Sequence, residues 1–260
     1  MPPGPSRRLA RFLDGTRAFW ALLEDDGRLR EASGDPFGRL DATGPLLPTD
    51  GLRWLPPCAP TKIIGVGRNY RAHAAELGNA VPAEPLLFFK PPSALLPHGG
   101  EIVLPGVSAR VDHEGEIGVV VGRRLRNAGE DEALAGVLGY TCVNDVTARD
   151  LQKKDVQFTR AKGFDTFCPV GPAVATGLTP ADLAVETWVN GTRRQSAPAA
   201  EMIVGIGALL AYISRVMTLE PGDLVATGTP EGVGPLTPGD EVTVAIPGVG
   251  RLVNRVVAAP

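Results

Sequence analysis

Along residues 114–122 the side chains alternate with the period of a β-strand. Ile117, Val119 and Val121 fall on one face, and Glu114 and Glu116 on the other. The same period of two marks 242–246, 252–256 and 185–189, the last turning at Asn190-Gly191. Near the N-terminus, 8–12 and 18–23 pair as a hairpin around Asp14-Gly15, followed by an irregular stretch rich in Gly, Asp and Pro. Further strands are predicted at 62–66, 138–143, 172–175 and 223–227, and helices from about Tyr70 through Leu77 and at 130–137, 146–152 and 201–218. The most apolar window, 202–219, contains Tyr212, Ser214 and Arg215 beside Gly205, Gly207 and Ala208, so it predicts a core helix rather than a membrane span. Strands outnumber helices and are not regularly interleaved with them. The class is therefore α+β with a mainly β core.

The chain has 260 residues, enough for one large domain with a small appendage. Residues 1–55 read as a small N-terminal domain and 56–260 as the main one, which opens with the stiff Pro56-Pro57-Cys58-Ala59-Pro60 connector. Glycine (32) and proline (25) are frequent enough to favour many short strands and turns over a helical bundle. A formal net charge of −3 argues against nucleic acid or an anionic membrane as a partner. Three cysteines without a CxxC or Cys/His cluster exclude a disulfide scaffold and a structural zinc site. With no apolar run of signal-peptide length near the N-terminus, the expectation is a soluble, cytoplasmic protein.

Two carboxylates on one strand face repel each other, and a bound cation is one physical reason to place Glu114 and Glu116 there. A solvated edge strand would carry the same spacing, so the pair alone decides nothing. Asp145 sits where a strand hands over to a helix, which an N-cap would also explain. Together the three make a possible all-carboxylate set suited to a hard cation, Mg²⁺ or Mn²⁺. His73 and Glu76 stand at i and i+3, the spacing at which a carboxylate can orient an imidazole as a general base. An exposed helix pair would show the same pattern. Lys162, in an apolar, glycine-rich loop, is suited either to an anionic substrate or to the surface. Thr229 lies in a glycine-rich turn able to form an anion nest, which is neither a Walker loop nor a dinucleotide fingerprint. His113 and His98 read as packing and turn residues.

In this order the motifs GRNYxxH, FxKPxS, ExE, NDxTARDLQ, RAK…FxPxGP and GDxxATGTPxGVG, spread from about Lys62 to Val256, resemble the fumarylacetoacetate hydrolase superfamily. The resemblance implies a rolled, mixed β-sheet catalytic domain, a smaller N-terminal domain and a homodimer. It assigns Mg²⁺ or Mn²⁺ to Glu114, Glu116 and Asp145, and a lid-helix dyad to His73 and Glu76. It places Gln152 and Lys162 in the substrate pocket, and Arg68 and Thr229 in substrate-facing segments. The activity it implies is hydrolysis or decarboxylation of small 2-oxo acids, such as acylpyruvates or oxaloacetate, through an enolate. The alternative is isomerisation of 2-hydroxyhepta-2,4-diene-1,7-dioate, and a non-catalytic binding protein is a third reading.

Overall fold

The structure, a computed structural model, describes residues 6–76, 78 and 80–260. Strand Gly115–Val121 lies in the interior of a large mixed sheet, between Val137–Asn144 on one side and Leu224–Ala226 on the other. It is buried along its whole length, because both faces are covered. Ile117, Val119 and Val121 enter the largest apolar cluster with helix Ile206–Val216, and Val120 packs on the other face with Val143 and Leu224. The strand can approach its neighbour this closely because Gly118 has no side chain; a Cβ there would sit 2.6 Å from Val143 Cγ2. The solvated-edge reading of Glu114 and Glu116 does not hold.

Beyond Leu224–Ala226 the sheet continues through Ile63–Gly67, paired in parallel, to the edge strand Leu86–Lys90. In the other direction it runs through Cys168–Thr176 to Arg7–Asp14 and Arg17–Leu23 of the small N-terminal domain. That domain shares the sheet, and Phe12, Phe19 and Leu29 close its far face against Ala173. The stretch expected to be irregular after its hairpin contributes Leu29–Gly34 and shorter strands. A second, five-stranded sheet carries Ala184–Val189, Thr192–Pro198, Glu241–Ile246, Gly250–Ala258 and Glu101–Leu104. The architecture is mostly β with few helices, a curled mixed sheet with a small N-terminal domain. Among the described residues no helix is long and apolar enough to cross a membrane.

Two predicted helices are displaced, each for a tertiary reason. The 146–152 helix starts late, because Thr147–Ala148 pairs with Val111–His113 before the chain coils as Arg149–Lys154. The 201–218 helix is confined to Ile206–Val216, because Asn69 captures the backbone before it. Ile203 N–H donates to Asn69 O (2.7 Å), and Val204 N–H to Asn69 Oδ1 (2.9 Å).

Asp223, fully buried, ties the parallel pair together. It accepts hydrogen bonds from the backbone N–H of Thr61, Lys62 and Glu220 and forms an ion pair with Lys62 Nζ. Asp223→Ala leaves those donors unpaired, an effect of about 3–5 kcal/mol for a broken buried pair, equivalent at this chain length to a melting temperature lower by roughly 10 °C. Scanning calorimetry checks this, and a wild-type melting temperature would contradict it.

Candidate active site

All nine residues singled out in the sequence line one cavity of about 410 Å³, together with Leu86, Phe88 and Phe158. Its floor is set by hydrogen bonding between strands. Glu114 N–H donates to Asn144 Oδ1 (2.9 Å), and Asp145 N–H returns to Glu114 O (2.8 Å). These two bonds place Asp145, which follows strand Val137–Asn144, beside Glu114 and Glu116. One carboxylate oxygen from each of the three lies within 4.8 Å of the others, and all three residues are buried.

Three cations bind this floor. Lys162 Nζ donates to Glu114 Oε2 (2.7 Å) and Asp145 Oδ2 (2.5 Å), and Lys90 Nζ to Asp145 Oδ1 (2.6 Å). Arg149 reaches Glu114 Oε1 (2.5 Å), Asp112 Oδ2 (3.0 Å) and Gln152 Oε1 (2.8 Å). Lys162, Lys90 and Arg149 therefore face four buried carboxylates, those of Asp112, Glu114, Glu116 and Asp145. Glu116 is the one without a cationic partner among the described residues; its Oε2 accepts only the Gly228 N–H (2.8 Å). Burial, with Asp145 and then Glu114 beside it, pushes the Glu116 carboxyl well above its ordinary range. Burial also works against the Glu114 anion, but Lys162 and Arg149 outweigh it and hold that carboxyl well below the ordinary range. The donor set fits a hard divalent cation: three convergent carboxylates, with no histidine or cysteine among them. Lys162 Nζ, between Glu114 and Asp145, already occupies the kind of position that a positive charge would favour.

The cavity roof is helix Arg71–Glu76. His73 is buried, with Nδ1 3.3 Å from Glu76 Oε2, and Glu76 Oε1 accepts the Gly232 N–H (3.0 Å). A proton on Nδ1, directed at Glu76, leaves Nε2 as the basic nitrogen. Arg68 sits in the left-handed backbone region (φ 58°) just before the helix. Gln152 gives its oxygen to Arg149, which leaves its NH₂ free to donate into the cavity. Thr229 lines the wall, but its hydroxyl proton goes to Gly115 O (2.9 Å). Lys162 also lies over the Phe88 ring, 4.8 Å from its centroid.

The sequence reading gave no role to Lys90, Arg149 or Asp112. A lysine closing the apolar Leu86–Lys90 strand was the available signal for the first of these. His113 is buried beside Gln195 Oε1 (3.3 Å), and His98 accepts the Val253 N–H (3.1 Å).

Residues 62–257 match the family described as fumarylacetoacetate (FAA) hydrolase, C-terminal. The chain belongs to the fumarylacetoacetate hydrolase family. Its residues 7–57 match the Rv2993c-like N-terminal family. Protein Rv2993c of Mycobacterium tuberculosis is 47% identical over 231 residues, covering 88% of this chain and 87% of that one. The oxaloacetate tautomerase YisK of Bacillus subtilis is 43% identical over 208 residues, covering 75% and 69%. The crystal structure of 2-hydroxyhepta-2,4-diene-1,7-dioate isomerase from Mycobacterium marinum superimposes with a TM-score of 0.89 at 43% identity, over 97% of this chain and 98% of that one. The two family matches account respectively for the rolled sheet and for the small N-terminal domain. Within the fumarylacetoacetate hydrolase family, this chain is similar to proteins named as tautomerases, isomerases and hydrolases.

Proposed function

We propose that this family member is a Mg²⁺- or Mn²⁺-dependent enzyme that enolises small 2-oxo acids. The observation that carries the reading is the placement of the His73–Glu76 dyad over the Glu114, Glu116 and Asp145 carboxylates in one cavity. The three carboxylates would hold the cation, whose charge, when bound, stabilises negative charge developing on a 2-oxo acid. The rest falls to the protein's own groups. Gln152 NH₂ and the Arg68 guanidinium orient the substrate carboxylate. The roof helix, through its buried His73 and Ala74, limits water near the reacting carbon. His73 Nε2 takes a proton from the carbon next to the 2-oxo group, and that C–H electron pair moves toward the 2-oxo oxygen. Returning the proton to oxygen gives the enol; returning it at a distant carbon moves a double bond. Glu76 holds Nδ1–H and stabilises the imidazolium between the two transfers.

Hydrolysis or decarboxylation of the same substrates is the second reading. The dyad favours it, since an imidazole oriented by a carboxylate can equally take a proton from water attacking a carbonyl. Decarboxylation needs the enolate alone.

A substrate panel separates these outcomes. Oxaloacetate enol, acylpyruvates and 2-hydroxy-2,4-dienedioates are to be assayed with Mg²⁺ or Mn²⁺, after EDTA, and after metal is restored. Metal-dependent tautomerisation or isomerisation is expected, lost with EDTA and regained. Inertness toward the whole panel, or turnover indifferent to EDTA, would sink the proposal.

A further inference from the structure

Strand Thr192–Pro198 forms the outer edge of the five-stranded sheet, and most of its side chains are exposed. Gln195 is an exception, a polar side chain only 1% exposed. Its amide uses its full hydrogen-bonding capacity. Oε1 accepts the Gly115 N–H (2.9 Å) and faces His113 Nδ1 (3.3 Å). Nε2 donates to Thr229 Oγ1 (2.8 Å) and to Pro230 O (2.8 Å). An apolar side chain would fill this volume without having to satisfy two donors and an acceptor.

The partners lie at the two halves of the site. Gly115 separates Glu114 from Glu116. It has no room for a side chain, since a Cβ would meet Thr187 Oγ1 at 1.8 Å. Thr229 and Pro230 begin the loop whose Gly232 N–H holds Glu76. That loop rests on the backbone of the residue preceding Gln195. Gly232, at φ +93°, lies so close that a Cβ would be 2.0 Å from Arg194 O. One amide therefore spans from the strand of carboxylates to the loop that grips the dyad.

We propose that Gln195 is a positioning residue that sets the distance between the carboxylate floor and the His73–Glu76 dyad. The inference rests on the proposed reading in which that dyad moves the proton. Gln195 touches neither reacting atoms nor metal ligands, so its loss should disturb the proton transfer and leave ground-state binding largely intact.

The test uses Gln195→Met, which approximates the volume and removes all four contacts, and Gly232→Ala, which lifts the loop off Arg194. The probes are oxaloacetate and Mn²⁺. In Gln195→Met, kcat is expected to fall about 10–100-fold, with KM and the Mn²⁺ Kd changed less than threefold. The His73 ring-nitrogen resonances should move, because the grip on Glu76 has changed. Gly232→Ala should reproduce the loss in kcat at unchanged Mn²⁺ affinity. A merely structural glutamine would lower the melting temperature and leave kcat per folded molecule and the His73 resonances as in wild type; that result overturns the proposal. Should Gln195→Met fail to fold, Gln195→Glu carries the test with the same two outcomes, since it keeps the acceptor and loses the donors. Full activity in His73→Ala would remove the underlying reading. Full activity in Gln195→Met beside an inactive His73→Ala would remove this proposal alone.

Discussion

Glu116→Gln is expected to abolish Mg²⁺ and Mn²⁺ binding and with it turnover, while the metal-free protein melts no lower than wild type. The two effects have opposite signs because Glu116 is the carboxylate left over after Lys90, Lys162 and Arg149 have taken their partners. Without a cation its charge is buried beside Asp145 and Glu114, and the neutral amide of glutamine relieves that repulsion. The glutamine oxygen can still accept the Gly228 N–H, so that backbone donor stays paired, and the new NH₂ faces the Asp145 and Glu114 carboxylates. The carboxyl is raised in the folded state, so its penalty is absent at pH values below its unfolded range. It grows as the pH rises toward the folded value, where the unfolded chain has already released the proton. The advantage of Glu116→Gln should accordingly be small near pH 5 and reach about 2–6 °C near pH 8, on the order of 1–2 kcal/mol. Calorimetry with Mn²⁺ and melting curves in EDTA across that range decide the matter. Undiminished Mn²⁺ affinity would show that the ligand set is wrong.

The second large effect belongs to His73. His73→Ala should lower turnover by about 10²–10⁴-fold, the usual range for a general base. Metal affinity should be preserved, because no hydrogen bond joins His73 to the three carboxylates. Reactions differ in how much they need the base. Enol formation and hydrolysis each require a proton to be taken, whereas loss of CO₂ from oxaloacetate requires only stabilisation of the enolate. The variant should therefore retain more of its decarboxylation than of either other activity. Near-wild-type turnover of all three would return His73 to the role of a packed helix residue.

The period-two pattern at 114–122 was sufficient to put Glu114 and Glu116 on one face, and i, i+3 spacing paired His73 with Glu76. Both inferences use only local geometry, and the structure keeps both. The compensating charges were harder to see. Lys90 reaches Asp145 across 55 residues of chain, and Arg149 reaches Glu114 across 35. No periodicity records such pairings, and a lysine or arginine reads as surface until its partner is known. The 201–218 run failed for a similar reason. Its apolar pattern is continuous, yet Asn69, 135 residues away, claims the backbone of Val204 and stops the helix short. Gln195 was invisible for want of any local signal, because its four contacts come from two stretches of chain, 113–115 and 229–230, both far from it in sequence.

The floor of the cavity is a chain of alternating charges, from Arg110 through Asp112, Arg149, Glu114 and Lys162 to Asp145 and Lys90. This arrangement ties the energetics of its members together. Replacing any interior member strands a buried charge on its neighbour, so a single substitution along the chain is expected to cost more than a matched double one. The uncharged wall of Leu86, Phe88 and Phe158 carries no ion pair and meets the charge chain where Lys162 lies over the Phe88 ring. Substitutions at Leu86 and Phe158 are expected to reshape the cavity one at a time, whereas those in the charged floor act as a coupled set.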